Sequence, residues 1–121
     1  MAVRAIRGAT TAKNTKEDIF EATKELIKEI VKRNNLNSDD MIDIIFTMTK
    51  DLNAGYPAAA VRETGLTDVP LFDVCEPEIK GALEKCIRVM IHINTDKKNC
   101  DMSHVYLREA VKLRPDLARK K

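Results

Sequence analysis

The chain has 121 residues, with 21 Lys and Arg against 19 Asp and Glu, so its net charge is only +2. That length predicts a single domain spanning residues 1–121, and the charge balance argues against a dedicated nucleic-acid binder. Hydrophobic residues make up 44%, enough for a core without metal or disulfide staples, while no apolar run approaches the roughly 18 residues that cross a membrane.

Taken in chain order, residues 2–9 alternate, with Val3, Ala5 and Arg7 on one face and Arg4 and Ile6 on the other, which predicts a strand whose Arg7 shares a face with apolar neighbours. Gly8 and the pair Thr10 and Thr11 end it. Asn14 or Thr15, followed by Glu17 and Asp18, predicts an N-cap with an acidic first turn. Ile19, Ala22, Leu26 and Ile30 then recur at helical spacing, joined by Ile27 and Val31, opposite a face of Lys24, Glu25, Lys28, Glu29 and Lys32. Asn34 and Asn35 close this long helix.

Ser38 caps a single turn, and residues 41–49 predict a second strand with Ile42, Ile44, Phe46 and Met48 on one face. Pro57 suits a first helical position, so residues 58–64 form a short helix that Gly65 closes. A third strand covers residues 69–74, and Pro77 and Gly81 mark the turn that follows. Residues 86–95 are rich in β-branched side chains. Ile87, Val89, Ile91 and Ile93 face the core, and Arg88 projects from mid-strand on the other face. A last strand is expected over residues 103–113, with Pro115 stopping it and residues 115–121 left as a flexible tail. The expected fold is α+β: a mixed five-stranded sheet packed on one long amphipathic helix plus a short helix. One helix covers one face, so the second face, carrying Arg88 and Tyr106, should meet another subunit.

The three cysteines, Cys75, Cys86 and Cys100, are odd in number and match neither a zinc pair nor a redox pair. Reduced thiols and a cytoplasmic location are expected, because nothing in residues 1–8 marks secretion. A phosphate-binding loop at residues 8–15 lacks its second glycine, and Asn14 stands where Ser or Thr is needed. Cys100 and His104 have no second ligand pair, so no metal is called for. A Cys75 or Cys86 nucleophile with His92 or His104 as base competes poorly with core packing of a strand cysteine. Asp73, Glu76 and Glu78 around Pro77 read as a solvated turn in preference to a glycosidase pair. The basic end, with Lys112, Arg114, Arg119, Lys120 and Lys121, lacks the aromatics of a nucleic-acid surface. Arg7, Arg62, Arg88 and Arg114 together suit a small polyanion, since each guanidinium fork can hold a carboxylate bidentately.

The run Arg4-Ala5-Ile6-Arg7-Gly8-Ala9-Thr10-Thr11, the segments Tyr56-Pro57-Ala58 and Ala60-Val61-Arg62-Glu63, then Cys86-Ile87-Arg88-Val89, His104-Val105-Tyr106-Leu107 and Leu113-Arg114-Pro115-Asp116-Leu117 resemble the monofunctional chorismate mutases of the AroH type. The resemblance covers nearly the whole chain in the same order. It implies a homotrimer built as a pseudo-α/β-barrel, with sites between subunits, that rearranges chorismate to prephenate without a cofactor. It implies Arg88 at the breaking ether bond, Arg7 on a substrate carboxylate, Glu76 rather than Glu78 on the ring hydroxyl, and Tyr106 at the enolpyruvyl end. Tyr56, Ala58, Arg62, Leu113 and Arg114 match positions that line or close the pocket. Asp73 departs from the neutral residue, often cysteine, of that pattern, and Tyr56 and Ala59 stand for phenylalanine and lysine. An ionised Asp73 would repel a dianionic substrate. The rival readings are a non-catalytic trimer that binds a small carboxylate metabolite, and a different catalyst, such as an enamine deaminase, on a similar trimeric barrel.

Overall fold

The computed structural model describes residues 1–118. Five strands, β1 (Ala2–Thr11), β2 (Met41–Met48), β3 (Leu71–Cys75), β4 (Cys86–Thr95) and β5 (Val105–Tyr106), form one sheet in the order β3-β2-β4-β1-β5. Pairing is antiparallel for β1 with β4 and β2 with β4, and parallel for β2 with β3 and β1 with β5. The expected α+β architecture with a mixed sheet is what the chain adopts.

Helix α1 (Lys16–Asn34) starts where the Thr15 hydroxyl accepts the Asp18 N–H. It stops where Asn35 takes a left-handed φ of 51°. Its buried stripe, Ile19, Ala22, Leu26, Ile27 and Ile30, packs on Ile6, Ile44, Phe46, Ile87, Val89 and Ile91 of the sheet. Each of the isoleucine, leucine, valine and phenylalanine side chains contributes about 1.5–3 kcal/mol by leaving water. Asn34 fixes the helix end to the chain before β5, donating to Ser103 O and accepting from Ser103 N. Helix α2 (Pro57–Glu63) follows with Pro57 at its first turn, and Gly65 closes it at a φ of +91°. The sheet's other face stays open: Phe72 and Val74 on β3 and Met90 on β4 are 69%, 42% and 39% exposed.

Three details differ from the sequence reading. Strand β1 runs on through Thr11, because its ladder with β4 continues to the Thr11–Cys86 pair. Its core face is the one carrying Ile6, Gly8 and Thr10, and the face that Arg7 shares with Val3 and Ala5, as expected, is the open one. In β2 the register shifts between Met41 and Asp43, which turns Met41 inward and leaves Ile42 exposed. Strand β3 begins at Leu71, not at Val69.

The largest correction concerns residues 103–113. The strand is only Val105–Tyr106, after which Arg108 adopts a φ of +52° and a 3₁₀ turn covers Arg108–Leu113. A left-handed non-glycine residue costs about 1–3 kcal/mol and persists only where its surroundings hold it. Arg108 Nη1 donates to Thr11 O at 3.0 Å and meets Asp18 at 3.3 Å, and Nε lies 3.5 Å from Glu25. Tertiary charge pairing thus turns a chain that alternation alone would extend. Pro115 then opens a short helix α3 (Pro115–Ala118), with Leu117 buried, and residues 119–121 of the expected tail lie outside the described residues.

Gly8 permits the close approach of helix to sheet. A Cβ there would stand 2.9 Å from Ile30 Cδ1, 3.0 Å from Val89 Cγ1 and 3.1 Å from Val105 O. Gly8→Ala is therefore expected to destabilise the fold by about 1–3 kcal/mol, read as a lower denaturant midpoint; an unchanged midpoint would show that the helix yields without cost.

Candidate active site

Because β4 sits at the centre of the sheet with its odd-numbered side chains buried, Arg88 necessarily emerges on the open face. Ala9 of β1 pairs with Arg88, and Thr47 of β2 flanks it on the other side. A cleft of about 490 Å³ lies here, lined by Arg7, Arg88, Tyr106, Leu113 and Arg114 together with Ile45, Thr47 and Met90. That size suits a small organic molecule. Five of the expected site residues are thus brought together by four different segments of the chain.

Glu76 joins them from the side. It follows β3, its backbone N–H donates to Met48 O at 2.8 Å, and its carboxylate reaches across β2. Glu76 Oε2 accepts the Thr47 hydroxyl at 2.5 Å and lies 3.4 Å from Arg88 Nε. The Glu76 side chain is only 15% exposed, so this charge sits in a partly dehydrated position where pairing counts for more than it does in water. Glu78, two residues on, is exposed; it lines the neighbouring loop cavity, as Glu76 does, but makes no pair with Arg88.

Arg7 and Arg114 supply two further positive charges. Arg7 is half-buried, and its backbone N–H donates to His104 Nδ1 at 2.9 Å, continuing the contact of β1 with the chain entering β5. Nδ1 is the acceptor in that bond. Arg114 forms a bidentate pair with Asp116, at 3.2 Å and 3.0 Å, which lowers the Asp116 carboxyl below its ordinary value.

Tyr56, Ala58, Arg62 and Asp73 form a separate group at the β3 edge. The Asp73 carboxylate accepts the Ala58 N–H at 3.1 Å, at the start of α2. Burial raises the Asp73 pKa, opposed by that hydrogen bond and by the nearby Arg62 guanidinium. Strands β2 and β4 stand between β3 and β1, three strand spacings that amount to roughly 14 Å. One chain therefore does not bring this group to Arg7.

Burial also pushes the Cys86 thiol up to about 11 despite the adjacent Arg88, so it is no nucleophile at neutral pH. Sequence reasoning overlooked Thr47 as a site residue. Threonine in a strand is ordinarily a propensity signal, and only the Thr47–Arg88 register gives it another meaning. His104 was weighed as a ligand or base, whereas its role here is that of a hydrogen-bond acceptor.

Comparison with known proteins agrees with the geometry. The family model for chorismate mutase type I matches residues 3–117. The chain is 42% identical over 120 residues to "Chorismate mutase AroH" of Bacillus subtilis (strain 168), covering 98% of this chain and 94% of that protein. It is 44% identical over 117 residues to "Chorismate mutase AroH" of Thermus thermophilus, covering 95% and 96%. The solved structure "Chorismate mutase from Clostridium thermocellum Cth-682" superposes with a TM-score of 0.85 at 52% identity, over 88% of this chain and 96% of that one. Arginines converging on an open strand face, and a family match over almost every described residue, lead to one assignment: this chain belongs to the type I chorismate mutases.

Proposed function

We infer that the chain isomerises chorismate to prephenate, a step toward phenylalanine and tyrosine, and that Arg88, Glu76 and Arg7 do the central work. The observation that carries this reading is the Arg88–Glu76 pair, whose arginine lines a cleft together with Arg7. The rearrangement breaks an ether C–O bond as a C–C bond forms, so electrons move within one molecule and no proton, nucleophile or metal enters the balance. Negative charge grows on the ether oxygen. A guanidinium fixed beside it stabilises the transition state more than the ground state, and one such donor is typically worth about 3–4 kcal/mol.

Glu76 engages Arg88 through Nε, which leaves the terminal guanidinium nitrogens for substrate. Arg7 would hold a substrate carboxylate, Glu76 the ring hydroxyl, and Tyr106 the enolpyruvyl end. Leu113 and Arg114 would close the cleft, with a substrate carboxylate exchanging for Asp116 on Arg114. Clamping both ends holds the reacting carbons together and removes much of the entropic barrier.

The remaining lining residues, Tyr56, Ala58, Arg62 and Asp73, would come from a neighbouring subunit of a homotrimer. Exposed Phe72 and Val74 on the same edge strand support burial against another copy, with the three sheets facing inward as a pseudo-barrel and the helices outside. Free thiols at Cys75, Cys86 and Cys100 fit a cytoplasmic setting. No described helix is long and apolar enough to cross a membrane.

Four outcomes are expected. Arg88→Lys should lower kcat more than about a hundredfold, because a compact ammonium cannot pair with Glu76 and substrate together; near-normal loss of chorismate absorbance would remove Arg88 from the mechanism. Arg88→Ala and Arg62→Ala chains, each nearly inactive alone, should recover activity at roughly a quarter of their sites when unfolded together and refolded. No recovery would put both groups in one subunit's site. Asp73→Asn keeps an acceptor for Ala58 N–H while removing a charge that faces the dianion, so KM should fall several-fold. Since folding raises the Asp73 pKa, the ionised form costs stability above that raised value, and the cost vanishes below the unfolded value near 3.8. Asp73→Asn should accordingly melt higher than wild type at pH 7 and converge on it in acid; equal melting at both would reject the burial argument.

A further inference from the structure

We propose that Thr47 is a positioning residue for the reaction: its hydroxyl fixes the orientation of the Glu76 carboxylate, so that one oxygen meets Arg88 and the other is left for substrate. The inference rests on the roles given above to Glu76 and Arg88.

Three observations converge on it. Thr47 stands directly across from Arg88 in the β2–β4 ladder and across from Val74 in the β2–β3 ladder, so it lies between the arginine and the strand that leads to Glu76. Its hydroxyl donates to Glu76 Oε2 at 2.5 Å, and that same oxygen is the one 3.4 Å from Arg88 Nε. Thr47 also lines both the arginine cleft and the adjoining cavity walled by residues 76–84, at the place where the two meet.

A carboxylate has a nearly free terminal torsion, so Arg88 alone leaves that of Glu76 free to turn. A second donor directed at the same oxygen fixes the carboxylate plane. Both cationic and hydroxyl donors then saturate Oε2, the torsion is held, and Oε1 keeps its lone pairs for the ring hydroxyl of the substrate. Arg88 gains as well, because a Glu76 that cannot rotate keeps Nε engaged and the terminal nitrogens aimed into the cleft.

The neighbouring threonine shows how different this use is. Thr49 Oγ1 donates to Asp51 and accepts the Cys86 N–H at 3.0 Å, while Asp51 takes the Lys85 N–H. That network anchors the first residue of β4 and reaches no site carboxylate. Thr47, by contrast, donates its hydroxyl to a catalytic carboxylate.

The test is a double-mutant cycle on the purified enzyme, with chorismate as substrate and thermal melting as the folding control. Thr47→Val keeps the β-branched shape and removes only the donor, while Thr47→Ser keeps the donor. Thr47→Val should lower kcat/KM roughly ten- to a hundredfold, as expected for a lost hydrogen bond to a charged group. Its division between kcat and KM should resemble that of Glu76→Gln, and Thr47→Ser should recover most of the loss. In a Glu76→Ala background Thr47→Val should add little further loss. Near-normal Thr47→Val turnover would overturn the proposal while leaving the Glu76 role intact, and so would losses that multiply fully in the double variant. A Glu76→Ala enzyme with wild-type turnover would instead bring down the assigned role of Glu76, and the proposal with it.

Discussion

The approach of Ile30 to the β1 backbone at Gly8 is the contact around which the molecule is arranged. It seats α1 flat on one face of the sheet, so that every inward side chain of β1, β2 and β4 is covered by a single helix layer. With that face filled, the alternate residues have only the open face left to occupy. Arg7 immediately precedes Gly8, and Arg88 lies between two core residues of the central strand. Charged groups that would be intolerable in the helix-facing layer are thereby gathered on a surface free to take a polar ligand.

The legible parts were those whose meaning is local. A stripe at helical spacing defines α1, and strict alternation in β4 tells Ile87 from Arg88, because each pattern reports which side of a regular element is dry. Residues 103–113 alternate as convincingly as a strand, yet end after Tyr106. The cause is the Arg108 contacts with Thr11, Asp18 and Glu25, all far away in sequence. Likewise the shift between Met41 and Asp43 changes which isoleucine is buried without leaving a mark in composition.

The site divides along the same line. Arginine placement pointed to a polyanion, and the order of short motifs pointed to a family that fits the match over residues 3–117. The resemblance to that family implies Glu76 rather than Glu78, and the structure puts Glu76 against Arg88 while Glu78 is exposed. The contribution of Thr47 was hidden, since it depends on which residue stands across the ladder. Asp73 was read as a charge facing substrate. The structure adds that its carboxylate accepts the Ala58 N–H, so it helps to hold the start of α2.

Cys86 lies two residues before Arg88 and is fully buried. A positively charged neighbour ordinarily favours a thiolate, and thiolates are the species that peroxides and electrophiles attack. Here desolvation outweighs the arginine and keeps sulfur protonated. The central strand thereby carries a thiol beside Arg88 without presenting the oxidation-prone thiolate that an arginine neighbour would ordinarily favour.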